Sequence, residues 1–289
     1  MFLIETLRTY YNLTKPGIIY GNAINTAAGF LLATHGWPKL ELLLATLVGS
    51  SLVIASGCVF NNYLDRGIDL WMARTQKRAL VTGLVANRAA LVYASSLGLV
   101  GFLVLAIWTN FLTVAIGMVG LFTYVIIYGW AKRKSVYSTW VGGIAGAVPP
   151  VAGYTAVTNN VNAAAWILFF MLMFWQIAHF YAIALYRLRE YRKTGLPIWP
   201  VKKGIGSTQA QIMLSIIAFT FVSLLLTLFG YTGLVYAVVM GGAGLWWFWK
   251  GLKNLDRLQA AAWGRSMFLS SLIVTLVMAA CLAVGGHLA

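Results

Sequence analysis

In Cys58-Val59-Phe60-Asn61-Asn62-Tyr63-Leu64-Asp65-Arg66-Gly67-Ile68-Asp69 an apolar run that starts at Leu42 ends in two amides and two carboxylates, and Arg74-Thr75-Gln76-Lys77-Arg78 follows. The run has the length of a membrane crossing, about 20 residues. The whole chain holds only six acidic residues: Glu5, Glu41, Asp65, Asp69, Glu190 and Asp256. Two of them four residues apart mark this stretch as the place to look for chemistry. On a helix, Asn61, Asp65 and Asp69 fall at i, i+4 and i+8 and share one face, with the carboxylates about 6 Å apart along the axis. Their repulsion costs roughly a few tenths of a kcal/mol in water and more at a membrane boundary. A divalent cation cancels that cost. Oxygen ligands from Asp and Asn suit Mg²⁺, which usually keeps water and takes substrate phosphates into its shell. A merely solvated helix end is the plainer reading, but such ends favour Lys and Arg over paired Asp.

Working outward, the composition excludes an ordinary soluble domain. Of 289 residues 61% are hydrophobic and 9% charged, and the mean hydropathy is +0.81. Several runs of about 20 apolar residues predict a polytopic, all-α membrane protein, a single domain over residues 1–289. The first fifteen residues carry Glu5, Arg8 and Lys15 and show no cleavable signal peptide. Cys58 and Cys281 form no disulfide or zinc framework and read as small packed side chains. A formal charge of +15 invites a nucleic-acid partner, but its distribution argues against one.

Nine spans are predicted, at about 17–35, 41–63, 88–108, 110–130, 138–157, 162–186, 209–229, 231–250 and 267–285. With the N-terminus in the cytoplasm and the C-terminus outside, the inner loops collect all but Lys39 of the 21 Lys and Arg residues. Arg66, Arg74, Lys77, Arg78 and Arg88 fall after span two, and Lys132, Arg133 and Lys134 after span four. Arg187, Arg189, Arg192, Lys193, Lys202 and Lys203 fall after span six, and Lys250, Lys253, Arg257 and Arg265 in the last inner loop. That asymmetry sets the orientation. The long loops after spans two and six are expected to fold over the inner face as a cap. Gly142 and Gly146 allow close helix approach, and Pro149-Pro150 should kink span five and open a cavity.

A second polar group runs Trp175-Gln176-Ile177-Ala178-His179-Phe180-Tyr181. His179 is the one histidine expected deep in a span, which marks a functional site unless it is a hydrogen-bonded core residue. His35 and His287 fall at outer edges. Glu190, at the inner end of span six, is either half of a second metal and phosphate site or a surface ion pair. Carboxylates for Mg²⁺, many cations for phosphate oxygens and an aromatic bundle beneath suit a substrate with a diphosphate head and a long hydrocarbon tail.

These residues resemble the UbiA-type intramembrane prenyltransferases, and within them the protoheme IX farnesyltransferase (heme O synthase) branch. The resemblance runs over most of the chain. Leu13-Thr14-Lys15-Pro16-Gly17-Ile18, Gly57 through Asp65 and Asp69 to Arg74-Thr75, Lys132-Arg133 with Ser135-Val136-Tyr137, and Gly142-Gly143 to Pro149-Pro150 carry it. So do Trp175-Gln176 with His179-Phe180-Tyr181, Glu190-Tyr191 with Pro197, Pro200 and Val201, and Trp263 with Arg265, Met267 and Phe268. Ala178 and Ala79 stand where that branch usually has Pro, and Glu190 where it commonly has Asp. The resemblance implies farnesyl transfer from farnesyl diphosphate to a vinyl group of heme b with addition of water, releasing diphosphate, at the cytoplasmic face of a bacterial inner membrane. Asn61, Asp65 and Asp69 would be catalytic and, with Glu190, hold Mg²⁺. Asn62, Arg74, Lys77, Arg78, Lys132, Arg133, Arg187, Arg189 and Lys193 would hold the diphosphate. His179 would ligate or hydrogen-bond the heme. Contact with a terminal oxidase or a heme-modifying enzyme is the further partner it suggests. Another aromatic acceptor, or a lipid-phosphate transporter, are the alternatives; a transporter predicts charges near the midplane, whereas here they stop at the inner face.

Overall fold

The computed structural model describes residues 2–34, 36–253, 255 and 259–285, and every regular element among them is helical. His35, Asp256, Arg257 and His287 lie outside the described residues. The order is α1 (Phe2–Leu13), α2 (Pro16–Ala33), α3 (Leu40–Asp69), α4 (Asn87–Trp108), α5 (Phe111–Phe122), a π-helical turn (Thr123–Ile127), α6 (Tyr128–Lys134), α7 (Ser138–Gly146), α8 (Val148–Thr158) and α9 (Ala163–Tyr186). Two short helices, α10 (Leu188–Lys193) and α11 (Trp199–Lys202), precede α12 (Ile205–Leu228), α13 (Leu234–Leu252) and α14 (Ala260–Gly285).

Each predicted span falls on helix, yet among the described residues six helices are long and apolar enough to cross a membrane. These are Leu40–Asp69, Asn87–Trp108, Phe111–Lys134, Ala163–Tyr186, Ile205–Leu228 and Ala260–Gly285. The other three fall short for identifiable reasons. Helix α2 carries Asn22, Asn25 and Thr26 within its 18 residues, α7 and α8 are separated at Ala147, and α13 mixes three Trp, three Gly in its middle and Lys250. The break between α7 and α8 is the predicted effect of Pro149-Pro150, whose rings cannot continue the helix of the preceding turn.

Backbone closeness, more than bulk, holds the bundle. A Cβ on Gly153 would sit 1.9 Å from the Thr26 carbonyl oxygen, and one on Gly29 would sit 2.0 Å from that of Pro150. Only glycine lets α2 and α8 approach so closely. Asn110 and Asn162 cap α5 and α9 by accepting backbone N–H groups. The main core lies around α9, where Leu168, Met171, Ile177, Tyr181 and Leu185 are fully buried. At one end of the bundle Ile68, from the end of α3, packs with Tyr191, Leu196, Ile198 and Val201 of the segment after α9. The segment after α9 is therefore packed onto the end of α3, as one half of the expected cap requires.

Candidate active site

Helix α3 continues past its apolar run to Asp69, so it carries the polar residues down from the end of the bundle on one stripe. Asn61, Asp65 and Asp69 are all buried, with Asp65 2% exposed and Asp69 4%. Buried carboxylates persist only when paired, and each has its cation. Asp65 accepts from Lys132 at 2.6 Å and Arg133 at 3.1 Å, and Asp69 accepts from Arg78 at 2.7 Å. Arg133 also donates to the Leu64 carbonyl at 2.7 Å, and Thr75 donates to the Asp69 carbonyl at 2.9 Å. The second hydrogen bond folds the loop so that Arg78 returns onto α3.

Lys15 completes the cluster. It precedes Pro16 at the start of α2 with φ of 55°, and its Nζ donates to Asn61 Oδ1 at 2.6 Å. Burial in this junction pushes its ammonium down to about 8, with the nearby Arg78 and Lys132 charges acting in the same direction. Such a lysine gains when an anion arrives. The Lys-Pro-Gly motif was visible in the sequence, but nothing in its spacing predicted the contact with Asn61.

The other residues expected around the diphosphate fall in different settings. Asn62 ties α3 to the α1–α2 junction by donating to the Leu13 carbonyl at 2.8 Å, and its own Oδ1 is buried without a partner. Arg74 and Lys77 are exposed on the loop after α3, and Arg189 and Lys193 are exposed on α10. Arg187 pairs with Glu190 at 2.9 Å and stacks on Tyr186 at 4.6 Å, while Glu190 Oε2 is buried without a partner.

Beneath the cluster runs a cavity of about 670 Å³, within the range of small-molecule sites. Lys132, Tyr191 and Pro200 line it at the cap end, and Ser50, Leu105 and Gly117 line it far inside. Ser50 lies fifteen residues before Asp65 on α3, so the cavity descends about 22 Å below the carboxylates. Its walls are apolar and aromatic. Tyr124 and Tyr128, brought onto one face through the π-helical turn, stack at 5.7 Å, and both line it. His179 lines it too, 8% exposed, stacked on Trp175 at 4.7 Å and tilted against Phe268 at 5.1 Å. Its Nδ1 lies 2.7 Å from Ser271 Oγ, and Trp175 Nε1 donates to the Ser271 carbonyl at 2.9 Å. Ser271 was not legible in the sequence because hydroxyls inside spans are commonplace; a role for Tyr or Trp faces was expected, but not which of the many aromatics lines the cavity.

The donor set suits a hard cation. Among the described residues no three His, Cys, Asp or Glu side chains gather; Asn61, Asp65 and Asp69 would offer a cation two carboxylates and an amide. A Mg²⁺ held this way would need further ligands from water and phosphate oxygens. The surrounding cations match that need.

The UbiA prenyltransferase family model matches residues 22–272. A relative from Protochlamydia amoebophila (strain UWE25) named protoheme IX farnesyltransferase is 45% identical over 269 residues, 93% of this chain and 95% of that one. In fold, the chain is similar to a digeranylgeranylglyceryl phosphate synthase structure, with TM-score 0.77 and 18% identity over 96% of this chain and 99% of that one. It is also similar to a UbiA homologue from Archaeoglobus fulgidus bound to DMAPP and Mg²⁺, with TM-score 0.70 and 17% identity over 96% of this chain and 99% of that one.

Proposed function

The chain belongs to the UbiA prenyltransferase family, and from that premise we propose that it is an integral membrane prenyltransferase moving farnesyl from farnesyl diphosphate to protoheme IX. The observation that carries the chemistry is a pair of buried, cation-matched carboxylates, one of whose partners, Lys132, lines a deep, mostly apolar cavity. The acceptor is assigned from the relative named for it, 45% identical.

Asn61, Asp65 and Asp69 would hold Mg²⁺, which supplies charge neutralisation for the departing diphosphate. The Mg²⁺ in an A. fulgidus homologue structure supports the choice of metal. Arrival of the diphosphate exchanges ion pairs. Lys132, Arg133 and Arg78 turn from the carboxylates toward phosphate oxygens, and Lys15 regains a charged environment. Arg74, Lys77, Arg187, Arg189 and Lys193 draw the anion in from water, and Asn62 and Glu190 finish the rim. The bond from the diphosphate oxygen to the first farnesyl carbon then breaks with its electron pair on oxygen, where these cations stabilise it. The allylic cation forms in a cavity that excludes bulk water. Tyr124 and Tyr128 faces stabilise it by cation–π attraction, worth about 2 kcal/mol when desolvated. The porphyrin packs against His179, and its vinyl group supplies the π electrons for the new carbon–carbon bond.

We assign nine crossings, with the N-terminus and the cation-rich cap on the cytoplasmic side of a bacterial inner membrane. The cap face is also where we expect contact with an oxidase or a heme-modifying enzyme. Hemes extracted from membranes expressing this chain and weighed by mass spectrometry test the activity. A species heavier than heme b by a farnesyl group and a hydroxyl is expected; unmodified heme b, with farnesyl on another aromatic acceptor, would overturn the choice of acceptor.

A further inference from the structure

The reaction proposed above consumes a water molecule inside a cavity built to exclude water. When the vinyl π pair bonds the outer vinyl carbon to the farnesyl group, the inner vinyl carbon is left cationic. A water oxygen must then give that carbon a lone pair and lose one proton. A water held at random would quench the farnesyl cation first. One held at a fixed place would wait for the second cation.

The cavity wall carries polar atoms that such a water would satisfy. Gln176 Nε2, Asn25 Oδ1 and Thr275 Oγ1 are all buried and have no hydrogen-bond partner, and all three residues line the cavity. Gln176 and Asn25 are each only 6% exposed. Buried polar atoms without partners are rare, and a buried water typically takes about three such partners. The depth fits as well. Lys132 bonds Asp65; one turn further in, Gly142 faces the Tyr128 ring; one turn beyond that, a Cβ on Gly146 would meet Gln176 Oε1. Gln176 thus lies two turns, about 11 Å, inside the carboxylates, leaving room for metal, diphosphate and the first farnesyl carbon.

His179 stands one turn from Gln176 on the same face of α9. Ser271 Oγ has one proton and donates it to the Phe268 carbonyl at 2.5 Å. It therefore accepts from His179 Nδ1 across 2.7 Å, so Nδ1 carries the imidazole proton and Nε2 is left as a lone pair. We propose that Gln176, Asn25 and Thr275 bind one water in the cavity, and that His179 Nε2 takes its proton as the oxygen adds to the inner vinyl carbon. Ser271 is the positioning residue that sets the tautomer. The inference rests on the heme-farnesylating reading.

The test weighs heme products made in isotopically labelled water by the full-length enzyme, reading the ratio of hydroxylated to dehydrated farnesyl heme. In the dehydrated product the second cation has lost a proton instead of gaining water. Gln176→Leu and Thr275→Val should shift that ratio toward the dehydrated product on the order of tenfold, the loss of about one hydrogen bond, and Thr275→Ser should restore it. His179→Ala should shift it the same way, with recovery on adding imidazole. Ser271→Ala should act like a weaker His179→Ala. An unchanged ratio in Gln176→Leu and Thr275→Val overturns the water site, as does a fall in turnover and diphosphate release with the ratio constant. Loss of the heme absorption spectrum in His179→Ala with no imidazole recovery of the ratio makes His179 an iron ligand and overturns its role as base. A wild-type enzyme that farnesylates no heme sinks the underlying reading instead.

Discussion

At the scale of single residues, the site depends on charges balanced against burial. Asp65 pairs with Lys132 and Arg133, and Asp69 with Arg78, so amide replacements keep shape while removing the carboxylate. Asp65→Asn and Asp69→Asn should each lower kcat about 10²- to 10³-fold or more, as loss of an electrostatic catalytic group does, with helical circular dichroism in detergent unchanged. Near-normal turnover in either variant would remove the metal-site assignment. Lys15→Met makes a separate prediction. Among the described residues its Nζ bonds Asn61, so its strong interaction would be with the incoming diphosphate. Loss of a charge-assisted hydrogen bond to substrate, about 1.5–3 kcal/mol, should cut kcat/KM roughly ten- to hundredfold, mostly through KM for farnesyl diphosphate. The charged Lys15→Arg variant should recover part of it. A change confined to kcat would place Lys15 on the leaving group in the transition state rather than on the bound substrate.

Helices and their junctions decide where those residues meet. The kink at Pro149-Pro150 was legible because proline cannot sit inside a regular helix, and the Asn61–Asp69 stripe because helical spacing puts i, i+4 and i+8 together. The Gly29 and Gly153 contacts were not, since small residues pack closely in many spans and sequence does not say against what. Gly153→Ala would drive a methyl into the Thr26 carbonyl and should cost about 1–3 kcal/mol, as overpacking does. Thermal unfolding in detergent should show a lowered Tm. Gly242→Ala, where nothing lies within 4 Å of the added methyl, serves as the control and should not lower it. Equal Tm values for the two variants would mean that α2 and α8 can separate without penalty.

At the scale of the molecule, function requires that the cation-rich cap face the compartment where a diphosphate arrives. A single cysteine at Lys77, in the exposed loop after α3, and one at Asn160, in the exposed link between α8 and α9, test it in a background with Cys58 and Cys281 replaced. Membrane-impermeant maleimide should reach position 77 only in inverted vesicles and position 160 only from the outer side. The reverse pattern would invert the topology.

Sequence alone determined the membrane-spanning all-helical class and the Asn61–Asp65–Asp69 stripe, and it supplied the cation asymmetry on which the proposed sidedness rests, because hydropathy, charge and helical spacing are local properties of the chain. Tertiary structure decided which cation faces which carboxylate. It brought Lys15 to Asn61 across 46 residues and His179 to Ser271 across 92, and it left Gln176 Nε2, Asn25 Oδ1 and Thr275 Oγ1 without hydrogen-bond partners around one cavity. Such pairings depend on which helices pack together and how closely, and close packing here is set by glycines whose neighbours lie far away in the chain.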